Sequence, residues 1–351
     1  MITQSATQAT TDSPYAQLIE ALASARSQPL WDRYHRITTR QPQSPGPAHL
    51  WSWAEMEPLV AQAVRDVSME DAERRVLLLA RADAPESVAT LRNLSGGLQT
   101  LLPGEVARAH RHTLAALRFV MQGEGGVTTV NGQACPMQEG DLILTPSWTW
   151  HEHTHAGTGR MVWFDGLDLP LLHHLDAMFF ELAGPGLATV HPLPTRPSAA
   201  PNDCAVLLPD NVDQGGVEQG SGFLYSAVRA VQALAQSSAR ADGSNLLRYA
   251  DAQSLGPALP TLDCYLLGLS QAQPTRARRS TSSVICVVAQ GEGTSTIGSA
   301  TLHWKRNDVF TIPNWQWVTH AAHSSDARLF LMTDRELLAG LGYLREEEAS
   351  A

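Results

Sequence analysis

Gly104-Glu-Val-Ala-Arg-Ala-His110-Arg-His112 is followed by Gln122-Gly123-Glu124-Gly125, and then by Gly140-Asp141-Leu-Ile-Leu-Thr-Pro146-Ser-Trp148-Thr-Trp150-His151-Glu-His153. The same frame returns as Arg278-Arg-Ser280, Gln290-Gly291-Glu292-Gly293 and Asp308-Val-Phe-Thr-Ile-Pro313-Asn-Trp315-Gln-Trp317-Val318-Thr-His320. Aligning the two Gln-Gly-Glu-Gly stretches, with one residue deleted, puts Arg278, Ser280 and Val318 where His110, His112 and His151 stand. The pattern predicts a duplicated barrel with one metal site.

A single residue separates His110 from His112, so in a strand both side chains leave the same face of the pleat. His151 follows a Gly-Asp turn and a proline, where strand pairing brings it beside the first two. Three imidazoles on adjoining strands suit a divalent first-row metal that keeps open positions for other ligands. A structural zinc site is normally closed by four ligands, and no cysteine lies near these three. The repeat also acts as an internal control. Trp148 and Trp150 recur as Trp315 and Trp317, and Glu124 as Glu292, where no histidine array stands, so these read as scaffold.

Apolar residues make up 43% of the 351-residue chain and charged residues 17%, which excludes a disordered polymer. A net charge of -10 argues against a broad nucleic-acid surface, and means that an anionic substrate needs local arginines. Cys135, Cys204, Cys264 and Cys286 are too scattered for a zinc knuckle or a disulfide framework, so a reducing cytoplasm is expected. The first fourteen residues lack a basic segment followed by an apolar core, and no run approaches the roughly 20 apolar residues of a membrane span. No membrane partner is expected.

Amphipathic spacing predicts helices over 15–27 and 54–67, with a Pro- and Gly-rich connector at 41–47. From Arg74 the pattern changes to short apolar runs between turn residues, the mark of an all-β barrel. Such runs occupy 75–80, 114–121, 126–130, 141–144 and 161–164. The expected layout is an N-terminal helical arm at 1–73, a metal-bearing barrel at 74–170, and a linker with one helix at 171–255. A second barrel at 256–333 and a C-terminal helix at 334–351 complete it.

These residues resemble the cupin superfamily. Its first motif is met by Gly104, His110, His112 and Gly123, but its glutamate is absent, since positions 116 and 117 are Ala and Leu. Its second motif is met by Gly140, Pro146 and His151, with Trp148 and His155 replacing its Gly and Asn. A site of three neutral histidines is one unit more positive than one with a carboxylate, and suits anionic ligands on an Fe(II) that also takes O2. The stretches from Leu102-Pro-Gly-Glu to Arg118-Phe, 144–153, and Trp163-Phe-Asp165-Gly-Leu-Asp168-Leu-Pro170 resemble the gentisate 1,2-dioxygenase family, which includes salicylate and 1-hydroxy-2-naphthoate dioxygenases.

That resemblance implies a bicupin of two jelly-roll barrels, commonly a homotetramer. It also implies an Fe(II)-dependent enzyme that inserts O2 between the carboxyl-bearing and hydroxyl-bearing carbons of gentisate or a 5-substituted salicylate. Salicylate or 1-hydroxy-2-naphthoate are alternative substrates. It places Arg118 at the substrate carboxylate, where the competing reading is a structural ion pair. Arg74, Gly97 and Gln99 become pocket candidates, and the small residues Ser95-Gly96-Gly97 are expected to leave room beside the ring. His153 is either a partner for the substrate hydroxyl or structural, because His320 survives at its place in the second copy. Asp165 is expected to orient a ligand histidine, with Asp168 competing for that role. Two other classes compete: a non-catalytic cupin that binds an aromatic acid, and a zinc- or manganese-dependent isomerase or hydrolase.

Overall fold

A pleated strand with alternate residues buried must find a second sheet to cover its apolar face, and the short apolar runs do so twice. A computed structural model describes residues 13–44, 46–81, 87–184, 206–209, 222–251 and 254–349. Cys204 and the Pro-rich stretch 191–201 lie outside the described residues. Met1–Gln43 and Ser44–Ala351 form separate compact units. In the first, helix Pro14–Ser24 begins at Ser13, whose hydroxyl accepts from the Ala16 amide.

The larger unit contains both barrels. The first has a six-stranded sheet in the order Leu224–Tyr225, Leu142–Thr145, Ala116–Gln122, Met161–Leu167, Ser95–Leu101, Val76–Leu78. Its five-stranded sheet runs Phe180–Leu182, Val106–His112, His151–His155, Gly126–Val130, Gln133–Met137. Leu101, Val120, Cys135, Ile143, Met161 and Trp163 form its interior cluster. The second barrel repeats the order. Its larger sheet is Leu50–Trp51, Val309–Ile312, Val284–Gln290, Arg328–Thr333, Asp263–Gly268, Asn245–Ala250, Val206–Pro209. Its smaller one is Ala300–Lys305, Glu292–Ile297, Val318–Ala322, Arg278–Ser280, Glu346–Glu348. Phe119 and Phe330 stack between the barrels with ring centroids 4.4 Å apart.

The repeat begins earlier than the sequence pattern suggests. Strand Leu50–Trp51, Ser52 and helix Trp53–Asp66 correspond to strand Leu224–Tyr225, Ser226 and helix Ala227–Gln236. Each of these strands joins the other half's sheet: Leu50 pairs with Phe310, and Leu224 with Ile143. Each helix also starts against an aspartate of the other half. Trp53 N–H donates to Asp308 at 2.7 Å and Ala227 N–H to Asp141 at 2.8 Å. A carboxylate at a helix N-terminus contributes about 0.3–1 kcal/mol, so the Gly140-Asp141 turn fastens the two halves together.

Three segments differ from expectation. Phe180–Leu182, read as linker, pairs with the His110–His112 strand, and Asn245–Ala250 pairs with Asp263–Gly268. The expected C-terminal helix is only Arg335–Gly340. Gly342, with φ of +76°, turns the chain back, and Glu346–Glu348 adds to strand Arg278–Ser280, where Glu347 pairs with Arg279. Glycine reaches this left-handed conformation without the Cβ penalty. No described helix is long and apolar enough to cross a membrane.

Candidate metal centre

His110 and His112 lie on strand Val106–His112, and His151 opens the neighbouring strand directly opposite His110. The register of this pair shifts between Ala107 and His110, an irregularity of the kind that re-aims side chains near functional sites. All three histidines are buried, and one ring nitrogen from each lies within 4.8 Å of the others. The rings of His110 and His151 are 4.1 Å apart between centroids, and those of His112 and His151 4.7 Å.

Main-chain carbonyls set the orientation of all three rings. The Nδ1 atoms of His110, His112 and His151 meet the carbonyls of Arg108, Leu114 and Thr149 at 2.7, 2.9 and 3.0 Å. A carbonyl only accepts, so each Nδ1 carries the proton and each Nε2 keeps its lone pair for the cluster. His151 Nε2 is buried without a hydrogen-bond partner. Burial, reinforced by the nearby Arg74 and Arg118, pushes His110 down to about 2 and His112 to about 4, and lowers His151 well below its ordinary value. Three neutral donors converging on one point fit a divalent metal.

Asp165 orients none of these rings. It lies opposite Arg118 on the adjacent strand, with its Oδ1 3.5 Å from Arg118 Nε, and accepts from Trp163 Nε1 at 3.0 Å. The carbonyls already take the three Nδ1 protons, so the carboxylate is committed to the guanidinium. Arg118 is also buried, donating to Thr145 Oγ1 at 2.9 Å. Asp168 accepts from the Ala115 amide and from Thr261 of the second barrel. Its counterpart Asp334 binds the Ser283 amide and Asn93, so both residues join the halves.

Arg74 and Arg75 precede strand Val76–Leu78 rather than opening it. Arg75 is tied to Glu105, whereas Arg74 lies 5.2 Å from the centre of Phe180, whose ring in turn stacks on His110. Phe180 sits in a segment where no barrel pattern was legible; only its Phe-Glu-Leu alternation hints at a strand. Gln99 is buried with its Nε2 unpartnered. A Cβ on Gly97 would meet Val76 Cγ1 at 2.7 Å, and one on Gly96 would meet Phe164 at the same distance. The small residues therefore admit close packing on both faces, and Val76 already fills the room expected beside Gly97.

His153 is fully buried, with Nδ1 2.8 Å from Thr128 Oγ1. His320 repeats this contact with Ser295 at 2.7 Å, which makes that half of the interaction part of the scaffold. The difference lies at the other nitrogen, because His153 Nε2 is buried and unpartnered beside His151. The tryptophans are scaffold in both barrels. Arg111 packs over Trp148 and Trp150, and Arg279 over Trp315 and Trp317, each within 4.7 Å of the ring centres.

The sequence matches the cupin domain family over residues 97–167. It is 34% identical to gentisate 1,2 dioxygenase 1 of Aquipseudomonas alcaligenes, over 91% of this chain and 92% of that protein. The chain belongs to the gentisate 1,2-dioxygenase family. A 5-aminosalicylate 1,2-dioxygenase of Comamonas sp is likewise 34% identical, over 95% of this chain and 90% of that protein. The salicylate 1,2-dioxygenase of Pseudoaminobacter salicylatoxidans, solved as adducts with gentisate, superposes with a TM-score of 0.85 at 26% identity. That match covers 98% of this chain and 96% of the other. This member of the family is thus a bicupin ring-cleaving dioxygenase, and its buried histidine triad is suited to a metal.

Proposed function

We propose that this dioxygenase uses Fe(II), held by His110, His112 and His151, to open gentisate or a ring-substituted salicylate between its carboxyl-bearing and hydroxyl-bearing carbons. The relatives named for gentisate and 5-aminosalicylate support the substrate class. One observation in this chain carries the reading: beside three metal-ready nitrogens, the first barrel keeps buried Nε on Arg74 and Nε2 on Gln99 and His153 without hydrogen-bond partners. Buried unpaired polar groups are costly, and a substrate carboxylate or hydroxyl would satisfy them.

Arg118 offers a guanidinium whose planar donor array matches a carboxylate, and Asp165 holds it from behind. Arg74 adds a second positive charge, which helps offset the negative charge of the whole chain locally. His153 is kept neutral by burial, so its Nε2 can exchange a hydrogen bond or a proton with the ring hydroxyl. Phe180 covers His110 and limits water at the triad. When bound, Fe(II) supplies the electron-transfer and Lewis-acid chemistry that these side chains lack. The residues themselves bind, orient and desolvate the two reactants.

Oxygen uptake by iron-loaded protein should be measured with gentisate, salicylate, 5-aminosalicylate, 5-nitrosalicylate and 1-hydroxy-2-naphthoate. At least one acid should drive oxygen consumption and yield a new ultraviolet-absorbing, ring-opened product. No uptake with any of them, at full iron occupancy, would end this reading.

A further inference from the structure

The second barrel has lost the histidine array, yet its strands line a cavity of about 520 Å³. That size lies within the range of small-molecule sites, about 300–1,000 Å³. Its wall includes Leu267, Ile312 and Leu331 on the apolar side. Leu331 pairs with Cys286 at the positions that Asp165 and Arg118 hold in the first barrel, so the buried ion pair has become apolar surface.

The polar side of the cavity is specific. Thr333 is 3% exposed, lines the cavity, and has a hydroxyl with no hydrogen-bond partner. His320 lines the same space, held through Nδ1 by Ser295, whose oxygen also accepts from Trp304 Nε1. Arg278, at the place of His110, stands at the rim, and Glu348 meets its Nε at 2.9 Å. A guanidinium has five donors, so this ion pair leaves capacity for a second carboxylate. Five arginines and four carboxylates line the cavity, an excess of one positive charge.

We propose that the second barrel is a separate binding site for a small organic monocarboxylate with an apolar body. The carboxylate meets Arg278 and Thr333, and the body lies against Leu267, Ile312 and Leu331. One negative charge balances the lining, and the carboxylate satisfies the buried hydroxyl. A divalent cation is a poorer occupant, because Arg278, Ser280 and Val318 replace all three histidines.

Benzoate is a suitable probe, measured by equilibrium dialysis on the full-length, metal-loaded protein carrying Arg118→Ala to weaken the first barrel. One equivalent should remain bound. Adding Thr333→Val, which keeps the side-chain shape, or Arg278→Gln, at the exposed rim, should each weaken that equivalent at least tenfold. Circular dichroism would check the fold of each protein, and the rim variant keeps the test decisive if the buried one fails to fold. No bound benzoate in the Arg118→Ala protein, or a loss below tenfold in the folded variants, would overturn the proposal.

Discussion

Arg118 and Asp165 face each other across antiparallel strands in the first barrel, with Arg118 Nε 3.5 Å from Asp165 Oδ1 and both side chains buried. At the matching positions of the second barrel stand Cys286 and Leu331. The same backbone therefore holds its register without this ion pair. A buried pair gains little over an apolar one, but removing one member leaves a charge stranded.

Arg118→Ala should consequently have two separable effects. Loss of a charge-assisted bond to the substrate should lower kcat/KM roughly 10- to 100-fold, or about 1.5–3 kcal/mol, while metal content is preserved. Stranding Asp165 should lower stability by about 3–5 kcal/mol, and adding Asp165→Asn should restore part of it. Steady-state kinetics and denaturant titration of the single and double variants check both.

The pH dependence should carry opposite signs in activity and stability. Burial raises Asp165 from 3.8 to about 6 despite Arg118. Below about 6 the carboxylate is protonated and Arg118 loses its anionic partner, so kcat/KM should fall on the acid side. Between about 4 and 6 the folded chain binds more protons here than the unfolded chain, so this group makes folding less favourable as pH rises. Asp165→Asn should flatten the acid limb of kcat/KM and remove this contribution to stability.

Replacing His110, His112 or His151 with Ala should remove bound metal and turnover together, since each supplies one of the three converging nitrogens. Elemental analysis of protein purified from iron-supplemented cells, alongside oxygen uptake, tests this. Normal iron content and turnover in His151→Ala would place the metal elsewhere.

Thr128 and Ser295 should separate scaffold from chemistry. Ser295→Ala leaves His320 and Trp304 without a buried partner and should cost about 1–3 kcal/mol of stability with unchanged kcat/KM. Thr128→Ala should cost a similar amount and also lower kcat, because it frees the His153 ring beside the triad.

Gly97→Ala should destabilise by about 1–3 kcal/mol through overpacking against Val76, and Val76→Ala in the same chain should relieve it. Thermal unfolding of the pair measures the coupling. Equal destabilisation with and without Val76→Ala would show that the crowding lies elsewhere.

The triad and the duplication were legible because both are written in local spacing. Alternation puts His110 and His112 on one face, and the repeated Gln-Gly-Glu-Gly frames align the copies without any knowledge of packing. The degraded copy also identified Trp148, Trp150 and half of the His153 environment as scaffold. Asp165 was misread because an acidic residue near ligand histidines suggests a ring-orienting role, whereas the protons concerned go to the carbonyls of Arg108, Leu114 and Thr149.

Sequence by itself determined the all-β class, the two-fold repeat and the three histidines that converge, since each follows from side-chain type and period. Tertiary structure alone decided the exchange of strands Leu50–Trp51 and Leu224–Tyr225, the covering strand Phe180–Leu182, and the pairing of Arg118 with Asp165. The physical reason is that these depend on strand register and on main-chain groups. Every residue but proline carries the same N–H and C=O, so their partners become visible only when the strands are laid side by side.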